Sequence, residues 1–554
     1  MADSGNVQFR SAGVPPLWNG APVRWRELVI LLVVIVIADA AVYHGHGFTG
    51  WAALLAVLPV LLAIGAPRPR IGLDFIVATT LLMIAAIRLS WLGSIALVLT
   101  GCMLLVVVGM TFAGRTPYFA WVGHYLLQIV PAGLLGLIQY GGQLGQPKLT
   151  VSRTGLLGIA LPAGAVLAFG TIFVMANPDL ANLVGENITH LVKWFEDSFA
   201  NVLPQPVQVL FWIAVAWFTV GLWRPLPLVE SRDTRNDGSS DDRNDSQTEV
   251  ATQAESPFYS VYRNTFLSVV ILFSLYLVFE FRTLWFREFP DGFYYSGYAH
   301  QGAAWLTFAL ALATVVLSMI FRGQVLQDPR CSRLRKWGWF WSAENGLLAL
   351  AVFNRLGIYI QFNGMTRMRV VGVLGICSVI VGFLLVLRKV TKNHRFLWLL
   401  RRQIWTVCFF VWLYLVLPVD LLVHSANSHW VLAGHKAPSV QISEHPLDAG
   451  GLCAIAPLLN CDDPILRDGV RALYARAAIE EFGLPTSGER PRKRYSNTNE
   501  FSPSFQRHWT AYQGARQCLL EKLRATEKFW SPFEDSSRRA AALHEFHVYT
   551  KQWW

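Results

Sequence analysis

The residues best placed to do chemistry in this chain are ionisable groups inside apolar runs. Run 261–281 carries Arg263 near one end and Glu280 near the other, and run 338–360 carries Glu344, Asn354 and Arg355. A charged side chain at the bilayer centre costs roughly 2.5–3.5 kcal/mol on insertion scales, so such groups face protein or water and find partners. Paired with one another they are structural. Lining an aqueous path, they would bind or sense an ion or small solute. Glu344 and Arg355 are 11 residues apart, which places them within about 20° of one helical stripe but about 16 Å apart along it. They cannot meet, so each needs a second helix. The 261–281 helix offers one, with Arg355 expected to meet Glu280 and Glu344 to meet Arg263. Tyr298 and His300 would sit on the rim near Arg355, and Asn354 and Tyr359 complete the candidate polar site. The imidazole of His300, with an unperturbed pKa near 6.5, would titrate physiologically.

Other reactive groups give weaker signals. The chain has no phosphate-binding P-loop, no nucleophile elbow and no double cysteine pair. His544-Glu545-Phe546-His547 has two histidines three apart that could share a metal, but without further ligands it reads as a solvated surface, as do His44 and His46. No catalytic residue, cofactor or metal is assigned. Cys102, Cys377 and Cys408 fall in apolar runs as small packing residues, and Cys331 falls in a basic loop. Cys453 and Cys461 could form a disulfide if their segment lies in an oxidising space, leaving Cys518 odd.

The elements that must hold these groups follow from composition. The 554 residues are 53% hydrophobic and 15% charged, with a mean hydropathy of +0.38. Soluble domains carry about 25% charged residues. Apolar runs lie near 28–43, 49–66, 71–87, 91–113, 119–139, 154–175, 206–223, 261–281, 301–321, 338–360, 370–387 and 403–422. They are continuous rather than alternating, which selects helices over a barrel. The fold class is therefore all-α, a polytopic transmembrane helical bundle of 11–12 spans with a C-terminal extramembrane helical tail. The net charge of +11 sits in short loops between runs, as topology signals do, and argues against nucleic acid. The partner implied is the lipid bilayer.

Four regions result. Residues 1–223 form an N-terminal membrane region of six or seven spans, with an acidic amphipathic segment at 176–205. Residues 224–257 are a polar, disordered cytoplasmic linker, 258–424 a second membrane region, and 425–554 the tail. Five basic residues in 322–337 and six in 388–402 place both loops in the cytoplasm. Counting on from them puts the tail outside. Arg10, Arg24, Arg26, Arg68, Arg70 and Arg115 put the N-terminus inside, in a cell membrane with the first run retained as a span. The two counts agree only if 119–139, with Pro131 inside it, is re-entrant or broken.

Two stretches carry a resemblance to a known family. Tyr298-Ala299-His300-Gln301-Gly302 follows a span and a short loop, and Arg355-Leu356, Tyr359, Gly364-Met365-Thr366 and Arg367 or Arg369 follow the next charged run. These resemble a bacterial multi-pass family, the domain of unknown function 4173, and its relative 4153. In that pattern an arginine stands where this chain has His300. Asn177-Pro178-Asp179 and the stretch 445–459 fit loosely, and the likeness covers roughly 170 to 480. It implies an all-helical membrane fold and no activity.

The function expected is a membrane-embedded sensor or regulator, with the linker or tail as the contact surface for a protein partner. The alternative is transport of a small solute or ion through the Glu280, Glu344 and Arg355 region. An enzyme stands third, for want of a catalytic cluster.

Overall fold

The computed structural model describes residues 23–66, 71–144, 205–226, 259–282, 305–314, 316, 331–392, 396–483 and 508–553. Among these, all regular structure is helical. Tyr298, His300, the 154–175 run and nearly all of the acidic segment and the linker lie outside the described residues. The chain divides into two compact units, one comprising 1–86, 98–242 and 508–511, the other 87–97, 243–507 and 512–554.

The first unit is built on α1 (Trp25–Ala38), α2 (Phe48–Gly65), α3 (Leu73–Trp91, its last turn counted with the second unit), α4 (Ile95–Phe112), α5 (Phe119–Leu144) and α6 (Pro206–Trp223). The segment expected to be re-entrant or broken is one unbroken helix, α5, with Pro131 inside it. A proline removes a single ladder bond, and neighbouring helices re-satisfy the backbone in a membrane. Here α5 packs along α6, and α1 packs on α2 and α6.

In the second unit, α7 (Tyr259–Glu280), α8 (Trp305–Thr314), α9 (Cys331–Asn363), α10 (Arg367–Lys392) and α11 (Phe396–Val416) form the apolar part. Helix α9 packs against α7 and α10. Trp341 of α9 meets Phe266 and Phe273 of α7 edge-on, at 5.8 and 5.7 Å between ring centres. The outward face of α7 is apolar, with Leu272, Leu275 and Val278 exposed by 62%, 66% and 68%. In water that surface would aggregate; in hydrocarbon it is at rest.

Eight helices among the described residues are long and apolar enough to cross a membrane: α2 to α7, α10 and α11. Helix α9 is not among them, because Glu344, Asn345, Asn354 and Arg355 lower its hydropathy. Its 33 residues span about 50 Å at 1.5 Å each, well beyond the roughly 30 Å of hydrocarbon. The last apolar run, expected over 403–422, ends at Val416, and Pro418 separates it from α12 (Val419–Leu432).

The tail begins in α12 and is a folded helical body. It continues through α13 (Ser439–Glu444), α14 (Ala449–Ile455), α15 (Pro464–Phe482), α16 (Gly514–Ala525), α17 (Glu527–Trp530) and α18 (Ser536–Thr550). Tyr474, Leu519, Leu523, Trp530 and Phe546 are buried in its core. Gly469 lets α15 and α18 touch, since a Cβ there would lie 2.3 Å from the Phe546 ring. Asp463 starts α15, its carboxylate accepting from the N–H groups of Ile465 and Leu466, and it also accepts from Lys436 and Tyr549 at 2.7 Å each. Asp463→Ala removes the cap and should cost the tail about 1–2 kcal/mol. Hydrogen exchange over 464–482 is the measurement, and faster exchange confined to that region is the expected result.

Candidate functional site

The site is best built from the end of α7. Leu277 faces the core and Glu280 falls on the same side of the helix, so its carboxylate is buried without any exposure. Arg355 of α9 comes to meet it. Its Nε donates to one carboxylate oxygen at 2.6 Å and its Nη2 to the other, making a two-pronged contact with both partners at most 5% exposed. The Tyr276 hydroxyl, one turn before Glu280, donates to the same carboxylate at 2.9 Å. Forked guanidinium–carboxylate contacts of this kind are the strong form of the ion pair. Asn354 is half-buried and has no part in this cluster.

The expected contact of Glu344 with Arg263 does not form. Glu344 accepts from the Ser274 hydroxyl of α7, and its other oxygen is buried with no hydrogen-bond partner. Arg263 is exposed and donates to Asn264 at 3.2 Å. Arg263 and Ser274 lie on the same helix eleven residues apart, and a shared stripe does not say which of them falls level with Glu344.

Tyr359 also leaves the expected group. The guanidinium of Arg369 stacks 3.8 Å from the centre of the Tyr359 ring and donates to the carbonyl of Gly364. Arg369 is thus buried, not extended toward an interface. The turn between α9 and α10 makes this contact possible. Gly364 ends α9 with φ of +80°, a left-handed conformation that favours glycine. A Cβ at Gly364 would also lie 2.8 Å from both Asn427 and Pro438.

That turn is held by the tail. The side-chain amide of Asn427 accepts from the Met365 N–H at 2.6 Å and donates to the Met365 carbonyl at 2.9 Å. Gln441 donates to the Asn363 carbonyl at 2.9 Å. Arg367, the first residue of α10, forms a forked contact with Asp420 of α12 and donates to the Pro446 carbonyl at 3.2 Å. Asp420 in turn accepts from the Asp448 N–H at 3.3 Å, and Asp448 caps α14 through Gly451. Sequence reading missed Asp420, Asn427 and Gln441; Pro418 was the signal that a separate helix starts there.

His424, one turn after Asp420, is buried, with its Nδ1 unpartnered. Burial lowers its pKa to about 4, against the pull of Asp420 and with the push of Arg367 and His445. Burial raises Asp448 above the usual carboxylate range, helped by Asp420.

The first unit holds a second buried pair that was not expected. Arg224 donates to Glu27 at 2.7 Å, with exposures of 5% and 0%; Tyr140 donates to the same carboxylate at 2.9 Å and Gln139 accepts from Arg224 at 2.7 Å. Asp39 accepts from Gln208 and Trp212 at 2.8 and 2.7 Å. At 544–547, His547 faces Glu444 at 2.6 Å while His544 is exposed. Among the described residues no group of three or more His, Cys, Asp or Glu is arranged to hold a metal. The expected Cys453–Cys461 disulfide is not formed: both thiols are free, and Cys461 points at the Asp463 carbonyl, 3.6 Å away.

Among the described residues, eight apolar helices of spanning length, apolar outward faces and buried ion pairs define a membrane-embedded helical protein. The chain belongs to the family of the domain of unknown function 4153, which matches residues 28–449. Of the two related families that the motifs resemble, this is the one matched, and it reaches further toward the N-terminus than those motifs suggest. No curated protein and no solved structure matches the chain.

Two expectations follow from the geometry. Arg355→Leu strands the Glu280 carboxylate and should lower stability by about 3–5 kcal/mol, whereas Arg355→Leu with Glu280→Leu should recover most of it. Thermal unfolding in detergent measures both, and a double variant no better than the single one would contradict the pairing. For His424, the folded protein takes up the proton less readily than the unfolded chain, whose imidazole titrates near 6.5. Its contribution is therefore complete above about 6.5 and is lost as pH falls toward 4. Asp448, shifted up, acts in the opposite sense. Unfolding midpoints at pH 7 and pH 5 should differ less in His424→Gln than in the wild type.

Proposed function

We propose that this protein is a membrane-embedded regulator in which the tail is mechanically joined to the α9–α10 hairpin. The observation that carries this reading is the grip on the turn: Asn427 on both polar groups of Met365, Gln441 on Asn363, and Asp420 on Arg367. A hydrogen-bonded turn moves with whatever holds it, so a displacement of α9 against α7 would be passed to α12 and α13. Residues so joined do not form a loose tether. The N-terminus inside, the tail outside and a protein partner on the tail belong to the same reading.

A second reading, transport of a small ion, is favoured by one observation, the unpartnered buried oxygen of Glu344. Partly satisfied polar groups in hydrocarbon mark sites that bind something at some stage. Against it stands the closed fork of Arg355 and Glu280, in which each of these two charges is met by the other.

Reconstituted vesicles separate the two. The regulator reading expects proton, sodium and potassium gradients to persist, and Glu344→Gln to change nothing. Gradient loss in the wild type that Glu344→Gln abolishes would overturn it in favour of transport. Asn427→Ala with Arg367→Ala should raise hydrogen exchange in 439–455 several-fold and remove complementation of a deletion strain, with membrane levels of the protein unchanged. Full complementation by a chain whose tail is so released would also overturn the reading.

A further inference from the structure

Two of the three tail cysteines lie together. Cys453 is on α14 and Cys518 on α16, helices that pack against each other in the tail core. The Cys453 sulfur is 3.8 Å from the carbonyl of Ala515, one turn before Cys518, and both side chains pack in the same core, which sets the two thiols beside each other. Cys461 points away, toward Asp463. The two members of the pair differ in access: Cys453 is 8% exposed and Cys518 is half-buried.

A packing role alone does not call for two thiols side by side, since a buried cysteine behaves as a small apolar residue. We propose that Cys453 and Cys518 are a dithiol–disulfide pair, the redox modification site of the tail, with a small-molecule disulfide or a protein disulfide as the oxidant. The chemistry runs by exchange. The Cys518 thiolate, the more accessible, attacks one sulfur of the oxidant and expels the other as a thiolate, leaving a mixed disulfide. The Cys453 thiolate then attacks the Cys518 sulfur and expels the second thiolate. The tail loses two thiol protons and two electrons, and the oxidant is reduced to two thiols. Burial and the neighbouring thiol raise the Cys453 pKa, and the Lys522 ammonium opposes this rise.

Closure would staple α14 to α16 and enclose the 64 residues between the two cysteines, stabilising the tail chiefly by restricting its unfolded chain. The pair stands independently of the regulator reading. It also bears on orientation, because disulfides persist in oxidising compartments and are kept reduced in the cytosol.

The test uses the full-length protein in detergent. Reduced protein is treated with oxidised glutathione, free thiols are alkylated, and disulfides are mapped on unreduced peptides. The expected product is a single bridge joining the peptides of Cys453 and Cys518, with Cys461 alkylated. Cys453→Ala should stop at one glutathione on Cys518, and Cys518→Ala should carry none at Cys453. Complete alkylation of both residues, a glutathione adduct that persists on wild-type Cys518, or a bridge to Cys461 would each overturn the pairing. Because the wild-type map alone decides among these, a misfolded variant does not spoil the test. Oxidised wild type should also unfold several degrees higher than reduced, and an unchanged or lower midpoint would remove the stapling role.

Discussion

A guanidinium or a carboxylate in hydrocarbon persists only where another side chain carries the opposite charge to it, and much of this structure is arranged around that requirement. Among the described residues the same solution arises once in each unit. In the first, Glu27 receives Arg224 and the hydroxyl of Tyr140; in the second, Glu280 receives Arg355 and the hydroxyl of Tyr276. In both, the carboxylate is fully buried and a tyrosine occupies acceptor capacity that the arginine leaves open. Such pairs add little net stability over apolar packing, but a wrong register between helices leaves both members unpaired. Their value here is therefore register: they fix how α7 and α9, and α1 and the end of α6, lie along one another.

Register then has consequences at the far end of α9. Once Arg355 is fixed against α7, the eight residues that follow it to Asn363 place the turn, and Gly364 lets the chain reverse into α10. Most polar positions of this short stretch are used. Tyr359 carries Arg369, Thr366 accepts from the Arg369 N–H, Arg367 reaches Asp420, and the backbone of 363–365 is taken by Gln441 and Asn427. The motif that resembles the family pattern is thus a joint between an apolar helical layer and a folded polar body.

Much of this could be read from sequence, and the failures share a cause. Continuous apolar runs gave most of the helices, because spanning length and lack of charge are properties of a single segment. The Arg355–Glu280 contact was also accessible, since each residue sits near the same end of two long runs. Periodicity, however, assigns a residue to a face and not to a level, which is why Glu344 met Ser274 and not Arg263. Glu27 and Arg224 escaped notice because each stands where an apolar run meets a polar stretch, among basic residues or at the edge of the linker. The cysteine pairing was drawn from proximity in sequence, whereas the fold sets Cys453 beside a residue 65 positions away.

The wide sequence separation of Glu27 and Arg224, 197 residues, bears on how the chain is made. Helix α1 leaves the ribosome with an acid whose buried partner is made only after nearly 200 further residues. Until then Glu27 has only Arg24 and Arg26, at the polar start of the helix, beside it. The packing of α1 against the end of α6 is therefore completed only after Arg224 has emerged.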